Sequence, residues 1–475
     1  MKSLTKILTA KWLLVVSLSL FTVISCQKDV THKQQEEEIP GAANSNKDHG
    51  HLQQTKTFSA DVVIRWLNMQ LDMLRVPLAP GTGSQGADRA LAYCGIAAYE
   101  SVVPGMPAYQ TLTNQLTGFP EMPSTEKGKA YHWAASANAA LAEMNRRLFP
   151  TTSDANKAKI TELKNALNAT YASEVDAATL QRSIAFGEEV ATRVFAWAAA
   201  DMPAIVNPPY VPSPNFVGPA FWVQSVGPGT TLVTTPPNFP QATNPYASQR
   251  RLIVPDVTDG TPLEPPPAYS ANAASPFYAM VKAVYDRSQN LTRADTAMAI
   301  YHRDAPGYPG GGHFVAILAQ VLTQAEAKLD VAALAYAKVG IGAHDAITIC
   351  FINKYTYNLV RPINYIRNVM GHTSWNALFN TPGHPEFPSA HAVFGTAVAT
   401  MLTDVIGDNF HFTLNTYEYL GLPARSYNSF FEMSKEMADS RVLAGIHYQA
   451  SCDKGRWLGE KVSQNILSKV KFLKE

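Results

Sequence analysis

From Phe58 onward, apolar residues recur mostly every three or four positions, the spacing of one face of an α-helix. Between Asp61 and Leu74 the stripe is Val62, Val63, Trp66, Leu67, Leu71 and Leu74. Similar stretches run through Arg89 to Val102, Lys129 to Leu148, Ser153 to Tyr171 and Glu174 to Asp201. Ser153 and Ser173 suit helix starts, because a serine hydroxyl accepts from the first unpaired N–H groups. The pattern resumes at Pro276 to Asn290, Arg293 to Tyr301, Phe314 to Leu329 and Val331 to Leu359. It continues at Ala390 to Ile406, Tyr427 to Leu443 and Asp453 to Leu473. No comparable set of alternating β-branched strands occurs. The pattern predicts an all-α protein of helical bundles spanning residues 58–475.

Residues 203–272 interrupt it with sixteen prolines, a density that forbids regular helix. Tyr210, Phe216, Phe221, Trp222, Phe239 and Tyr246 are too aromatic for a solvated spacer. An ordered, irregular region packed over the helices near a site mouth is expected.

The N-terminus follows other rules. Lys2, Lys6 and Lys11 precede an apolar run from Trp12 to Ile24, too short for a comfortable membrane span, which ends in Val23-Ile24-Ser25-Cys26. This resembles a signal peptide (residues 1–25) with the lipobox of bacterial lipoproteins, and Gln27-Lys28-Asp29 resembles the sorting signal of lipoproteins exported by Bacteroidetes. The resemblance implies lipidation of Cys26 and an exported chain anchored at the outer membrane or cell surface; plain secretion is the alternative. Residues 26–57 are polar, poor in large apolar residues, and read as a tether. His49 and His51 in that stretch read as solvated residues rather than metal ligands.

Composition adds limits. The chain has 475 residues, 46% hydrophobic and 16% charged, ordinary for globular material. The formal charge is +1, and without the three N-terminal lysines 36 basic face 38 acidic residues, which gives no reason to expect nucleic acid. Cys94, Cys350 and Cys452 are an odd set without CxxC spacing, so neither a zinc site nor a disulfide framework is expected. Apolar neighbours predict that Cys94 and Cys350 are buried thiols.

Within residues 300–453 lies the candidate chemistry. Lys354 and Arg361 are seven apart, two helical turns, so both are expected on one helix face, with Pro362 stopping or kinking the helix. Pro388-Ser389-Ala390-His391 leads into a helix of small residues, which puts Ser389 at a helix start where unpaired N–H groups favour an anion. Arg441 and His447 are six apart, and Gly445 offers a place to end the helix and bring them together. Singly, each piece reads as a solvated basic edge, an N-cap or a structural histidine. Jointly, two guanidiniums, an ammonium, a hydroxyl and a backbone N–H can enclose a tetrahedral oxyanion, leaving two histidines for chemistry.

The ordered set Lys-(six residues)-Arg-Pro, Pro-Ser-Ala-His and Ser-Arg-(five residues)-His resembles the signature of the vanadium haloperoxidase and type 2 phosphatidic acid phosphatase superfamily. Ala335 to Tyr357, Thr381-Pro382-Gly383, Tyr301-His302-Arg303-Asp304 and Arg89 to Glu100 look like its soluble, chloroperoxidase-like branch. The resemblance implies a vanadate cofactor ligated by His447, its oxygens bound by Lys354, Arg361, Ser389, Arg441 and the Ala390 N–H. It implies His391 as acid–base group, hydrogen peroxide and halide as substrates, and Asp304 as a carboxylate paired with Arg361 or Arg441. The same pocket would serve an acid phosphatase acting on phosphate esters, with His447 as nucleophile.

Four positions depart from the family pattern. Ala390 stands where glycine is commoner, and Phe351 where haloperoxidases place a tryptophan. His384 replaces the phenylalanine of chloroperoxidases and iodoperoxidases and matches the histidine of algal bromoperoxidases; it either lines the pocket or lies in a surface loop. Ser451 stands where an aspartate normally orients the metal-binding histidine, which implies loss of that charge. A non-catalytic oxyanion-binding lipoprotein is therefore a further alternative. A zinc hydrolase using His372, His384, His391 and His447 lacks carboxylate ligand spacing.

Overall fold

The protein is described here from a computed structural model, which describes residues 53–76, 87–201, 210–223 and 242–475. The expected export signal, Cys26 and most of the tether lie outside the described residues. Packing begins a little upstream of Phe58: Thr55 is buried and its hydroxyl donates to the Val102 carbonyl at 2.9 Å.

Thirteen α-helices make up the described body. The first five are α1 (Asp61–Leu74), α2 (Ala87–Glu100), α3 (Trp133–Leu148), α4 (Asp154–Tyr171) and α5 (Ala177–Ala199). After the proline-rich region come α6 (Pro276–Gln289), α7 (Arg293–Tyr301), α8 (Gly312–Gln324), α9 (Leu329–Tyr357) and α10 (Pro362–Asn368). The last three are α11 (Ala390–Ile406), α12 (Phe430–Leu443) and α13 (Gln449–Lys469). Among the described residues the one sheet is a short antiparallel hairpin, β1 (Phe412–Leu414) with β2 (Arg425–Tyr427). The hairpin and the seven-residue α10 escaped the sequence pattern, being too short to show a period. Ser153 caps α4 as expected, whereas Asp176, not Ser173, caps α5 by accepting from Thr179 N–H at 2.9 Å.

The long helix α9 joins the two halves, packing on α2 along one side and on α11 along another. From Leu329 to Phe351 most of its residues are buried, which explains why its apolar positions form a near-continuous run rather than a stripe. The small residues of α11 let α13 approach closely. A Cβ on Gly459 would lie 2.2 Å from the Val393 carbonyl, so only glycine fits that crossing. None of the described helices is long and apolar enough to cross a membrane.

Where described, the proline-rich region is ordered as expected and packs beside the candidate site. Tyr210 and Trp222 sit against Tyr355 of α9. Trp222 N–H donates to Asn358 O at 2.8 Å, and Val360 N–H to Ala220 O at 3.1 Å. Further on, the buried Asp345 carboxylate accepts Ile253 and Val254 N–H at 2.7 and 2.9 Å, pinning the region to α9. Its prolines at 203, 208, 209, 228, 236, 237 and 240 lie outside the described residues.

Glu436 of α12 ties the hairpin to the segment after α7. It accepts two hydrogen bonds from Arg425 at 2.5 and 2.6 Å, one from Tyr427 at 2.7 Å and one from His302 Nε2 at 2.9 Å. Burial would raise this carboxyl, but hydrogen bonds from His302 and Arg425 bring it down to about 2. Burial likewise pushes His302 down to about 4, so at neutral pH His302 is uncharged and Arg425 carries the opposing charge. A carboxylate held below its unfolded value of 4.5 contributes stability that is complete above that pH and lost as the pH falls toward 2. The contribution is on the order of 3 kcal/mol. Glu436→Gln is expected to lower stability at pH 7 by about 2 to 3 kcal/mol and to flatten the stability profile between pH 5 and 2. Denaturant unfolding across that range measures both.

Candidate functional site

Every group of the expected constellation comes from α9, α11, α12, α13 or the turns that join them. Lys354 lies in the last turn of α9 and is fully buried. The expectation that Arg361 shares its helix face is corrected by the structure. Helix α9 stops at Tyr357, Asn358 turns in the left-handed conformation at φ 46°, and Arg361 caps the separate helix α10. Pro362 therefore starts a helix rather than ending one. Its fixed φ and missing N–H suit the first helical position.

Burial without solvent forces each cation to find acceptors. Lys354 Nζ donates to the carbonyls of Pro385, Glu386 and Pro388 at 2.9, 3.1 and 2.5 Å, using all three of its protons on the loop before Ser389. Burial pushes its pKa down to about 7. Arg361 donates Nε to His384 O at 2.9 Å, Nη1 to Ile446 O at 2.8 Å, and reaches His384 Nδ1 at 2.9 Å and His447 Nε2 at 3.1 Å. Arg441 donates Nη1 to His302 O at 2.7 Å and lies over the Phe379 ring. Burial lowers both guanidiniums to about 10, which leaves them charged at neutral pH.

A guanidinium can only donate, so the two imidazoles facing Arg361 must accept. His447 thus carries its proton on Nδ1 and a lone pair on Nε2; His384 carries its proton on Nε2. Burial, and then the positive charges of Arg361 and Lys354, hold the His447 pKa well below its ordinary value, so the ring is neutral. The Nδ1 proton goes to Glu386 Oε1 at 2.8 Å. Glu386 Oε1 also accepts Tyr448 N–H at 2.9 Å, and Oε2 accepts the Ser451 hydroxyl at 2.5 Å. Burial raises the Glu386 carboxyl, opposed first by Arg361.

Gly445 after α12 ends that helix with φ 77°, as expected, and the turn delivers His447 to the N-terminus of α13. Ser389 caps α11 with no capping hydrogen bond from its side chain. Its Oγ has only the weak Cys452 thiol beside it, and Arg441 Nε has no partner. Ala390 opens α11. His391, in the same first turn, is 23% exposed at its side chain, and its Nε2 is 2.8 Å from Asp304 Oδ2. Asp304 was expected to pair with Arg361 or Arg441, and its hydrogen-bond partner is instead His391. It sits at φ 66°, with Tyr417 Oη at 3.3 Å and His313 Nδ1 at 3.6 Å. Burial would raise the Asp304 carboxyl, but His391 and His313 hold it well below the usual carboxylate range.

Arg361 and Arg441 stay charged opposite the Asp304 and Glu386 carboxyls, Lys354 titrates near neutrality, and His384 and His447 are neutral. These buried cations, an orphaned hydroxyl, an orphaned guanidinium N–H and a helix N-terminus fit a tetrahedral oxyanion, vanadate or phosphate. Among the described residues no cluster of three or more His, Cys, Asp or Glu side chains is arranged to hold a metal cation. His372 lies apart, stacked on Tyr285.

Known proteins share this fold and part of this sequence. Residues 334–475 match the family model described as the VCPO second helical-bundle domain. The structure described as the first bacterial vanadium-dependent iodoperoxidase is 26% identical, with a TM-score of 0.73, and the match covers 88% of this chain and 98% of that one. Two structures described as bacterial vanadium-dependent chloroperoxidase, one apo-type and one holo-type, share the fold. The apo form is 16% identical with a TM-score of 0.61 over 83% of this chain and 95% of its own. The holo form is 15% identical with a TM-score of 0.56 over 91% and 99%. No curated protein matches in sequence.

In fold, and over residues 334–475 in sequence, the chain is similar to the bacterial vanadium haloperoxidases.

For this vanadium haloperoxidase-fold protein the departures from pattern now have places. Phe351 is buried with its ring against His384, 5.1 Å between centroids at 69°. His384 is buried rather than a surface-loop residue, and it holds Arg361 through both its ring and its carbonyl. Ser451 does not leave His447 without a carboxylate, because Glu386 supplies one from another segment. Glu386 was missed in the sequence, where His-Pro-Glu-Phe-Pro looks like an ordinary loop; a lone acid three residues before Ser389 was the available signal.

The Asp304–His391 pair yields a test. Burial and then Arg441 lower the His391 pKa, and Asp304 opposes them. Asp304→Asn removes the opposing charge, so the His391 titration midpoint is expected to move to lower pH in an imidazole NMR titration. An unmoved midpoint would remove Asp304 from this role.

Proposed function

We propose that this protein is a vanadium-dependent haloperoxidase that oxidises halide with hydrogen peroxide. The observation that carries this reading is the state of His447: neutral, its Nδ1 proton committed to Glu386 and its Nε2 lone pair facing the Arg361 guanidinium. That lone pair is the donor atom a vanadate would take. Ser389, Arg441 and the N-terminus of α11, with Arg361 and Lys354 behind them, are the groups to hold its oxygens. When bound, vanadate supplies a Lewis-acidic centre that activates peroxide toward halide without changing its own oxidation state.

The chain's own residues manage charge and protons. His391, neutral and donating Nε2–H to Asp304, keeps its Nδ1 lone pair to take a proton from peroxide and return it to a leaving oxygen. Asp304 fixes the ring's tautomer and stabilises the imidazolium formed on the way. Arg441, anchored to the His302 carbonyl, joins this pair to the oxyanion cage. The similarity to the iodoperoxidase, which is in both fold and sequence, supports a halide substrate. We also propose, on the N-terminal sequence alone, that the enzyme is exported and lipid-anchored through Cys26.

Paired assays test the activity. Protein loaded with orthovanadate is expected to brominate or iodinate a phenolic dye with peroxide. Absence of turnover with any halide, alongside robust phosphatase activity without vanadate, overturns the reading. His447→Ala is expected to abolish vanadate binding. His391→Ala is expected to bind vanadate and lose about 100- to 10,000-fold in turnover.

A further inference from the structure

We propose that Glu386 is the positioning residue for His447, and that Glu386 and Ser451 together form the unit that sets its tautomer and donor strength. This rests on the oxyanion reading of the site. The geometry is closed on every side. Glu386 Oε1 takes the His447 Nδ1 proton at 2.8 Å and the Tyr448 N–H at 2.9 Å, and Oε2 takes the Ser451 hydroxyl at 2.5 Å. The Glu386 and Ser451 residues are completely buried and His447 is 2% exposed, so water does not compete for these bonds.

The backbone of Glu386 is fixed as firmly as its side chain. Its N–H donates to Leu359 O at 3.0 Å, and its carbonyl accepts from Lys354 Nζ at 3.1 Å. One residue thereby joins the end of α9, the turn before Arg361 and the start of α13. Its carboxylate also lies at the N-terminus of α13, where the helix's unpaired N–H groups favour negative charge. Ser451, on the first turn of α13, turns its hydroxyl onto the far oxygen and prevents the carboxylate from rotating away from His447. A carboxylate behind an imidazole does two separable things: it selects which nitrogen keeps the lone pair, and it makes that nitrogen a stronger donor. Glutamine at 386 retains an acceptor for Nδ1–H but loses the charge. Leucine loses both.

The test uses the full-length purified protein and orthovanadate as the probe, with binding measured by calorimetry and the His447 ring nitrogens followed by 15N NMR. Wild-type His447 is expected to show a protonated Nδ1 and a bare Nε2. A protonated Nε2 would overturn the proposal, and this measurement needs no variant. Glu386→Gln is expected to weaken orthovanadate binding about 10- to 100-fold while keeping the Nδ1–H tautomer. Glu386→Leu is expected to mix the two tautomers, and Ser451→Ala to weaken binding several-fold. A folded Glu386→Gln protein that binds within twofold of wild type would overturn the proposal. Wild-type protein that binds orthovanadate but oxidises no halide would sink the haloperoxidase reading and leave the role of Glu386 standing.

Discussion

Three cations buried without solvent are the constraint on which the rest of the structure depends. Each must meet acceptors or lie beside opposite charge, since an isolated buried charge costs several kcal/mol. Lys354 takes three loop carbonyls, Arg361 takes two carbonyls and two imidazole nitrogens, and Arg441 takes the His302 carbonyl. The path of residues 383–389 is set by those demands, because its carbonyls have to point inward. So is the neutrality of His384 and His447, which face guanidinium donors and a positive field. The donors left over, Ser389 Oγ and Arg441 Nε, are the groups that fit an oxyanion.

Around this cage the fold works as a set of clamps. Asp345 draws the proline-rich region onto α9, and that region lays Ala220 and Trp222 on the turn between Lys354 and Arg361. Glu436 holds His302 and the hairpin together, two residues from Asp304. Glu386 holds His447 to the loop that Lys354 organises. The two histidines are thus each backed by a carboxylate from a distant segment, Asp304 for His391 and Glu386 for His447. Ser451, which supports Glu386, also accepts the Ser389 N–H at 3.1 Å and so ties the pair to the start of α11.

The sequence and the structure agree where the physics is periodic or local. Long helices such as α1, α4 and α11 were legible to within a residue or two, because an apolar pattern over ten or more positions leaves little choice. The cage residues were legible as well, through their order and spacing. What was misread depends on short elements and on contacts across the chain. Asn358 in a left-handed turn separates Lys354 from Arg361, and nothing in a seven-residue spacing reveals it. The family resemblance implies an arginine partner for Asp304. In space His391 and Tyr417 are its hydrogen-bonding neighbours, and Arg441 acts on it through its charge.

The Ser451 departure makes the division plain. Read along the chain, the position four residues after His447 had lost its carboxylate, and with it the charge behind the histidine. The fold restores the charge from residue 386, 61 positions away, and turns the serine into a support for it. By itself the sequence determined the helical class and the inventory of cations, hydroxyl and histidines, since these rest on residue chemistry and short-range period. Only the tertiary structure decided which acid serves which histidine, which nitrogen carries each proton, and where the helices stop. Those are settled by distances of about 3 Å between residues far apart in sequence, which no local pattern encodes.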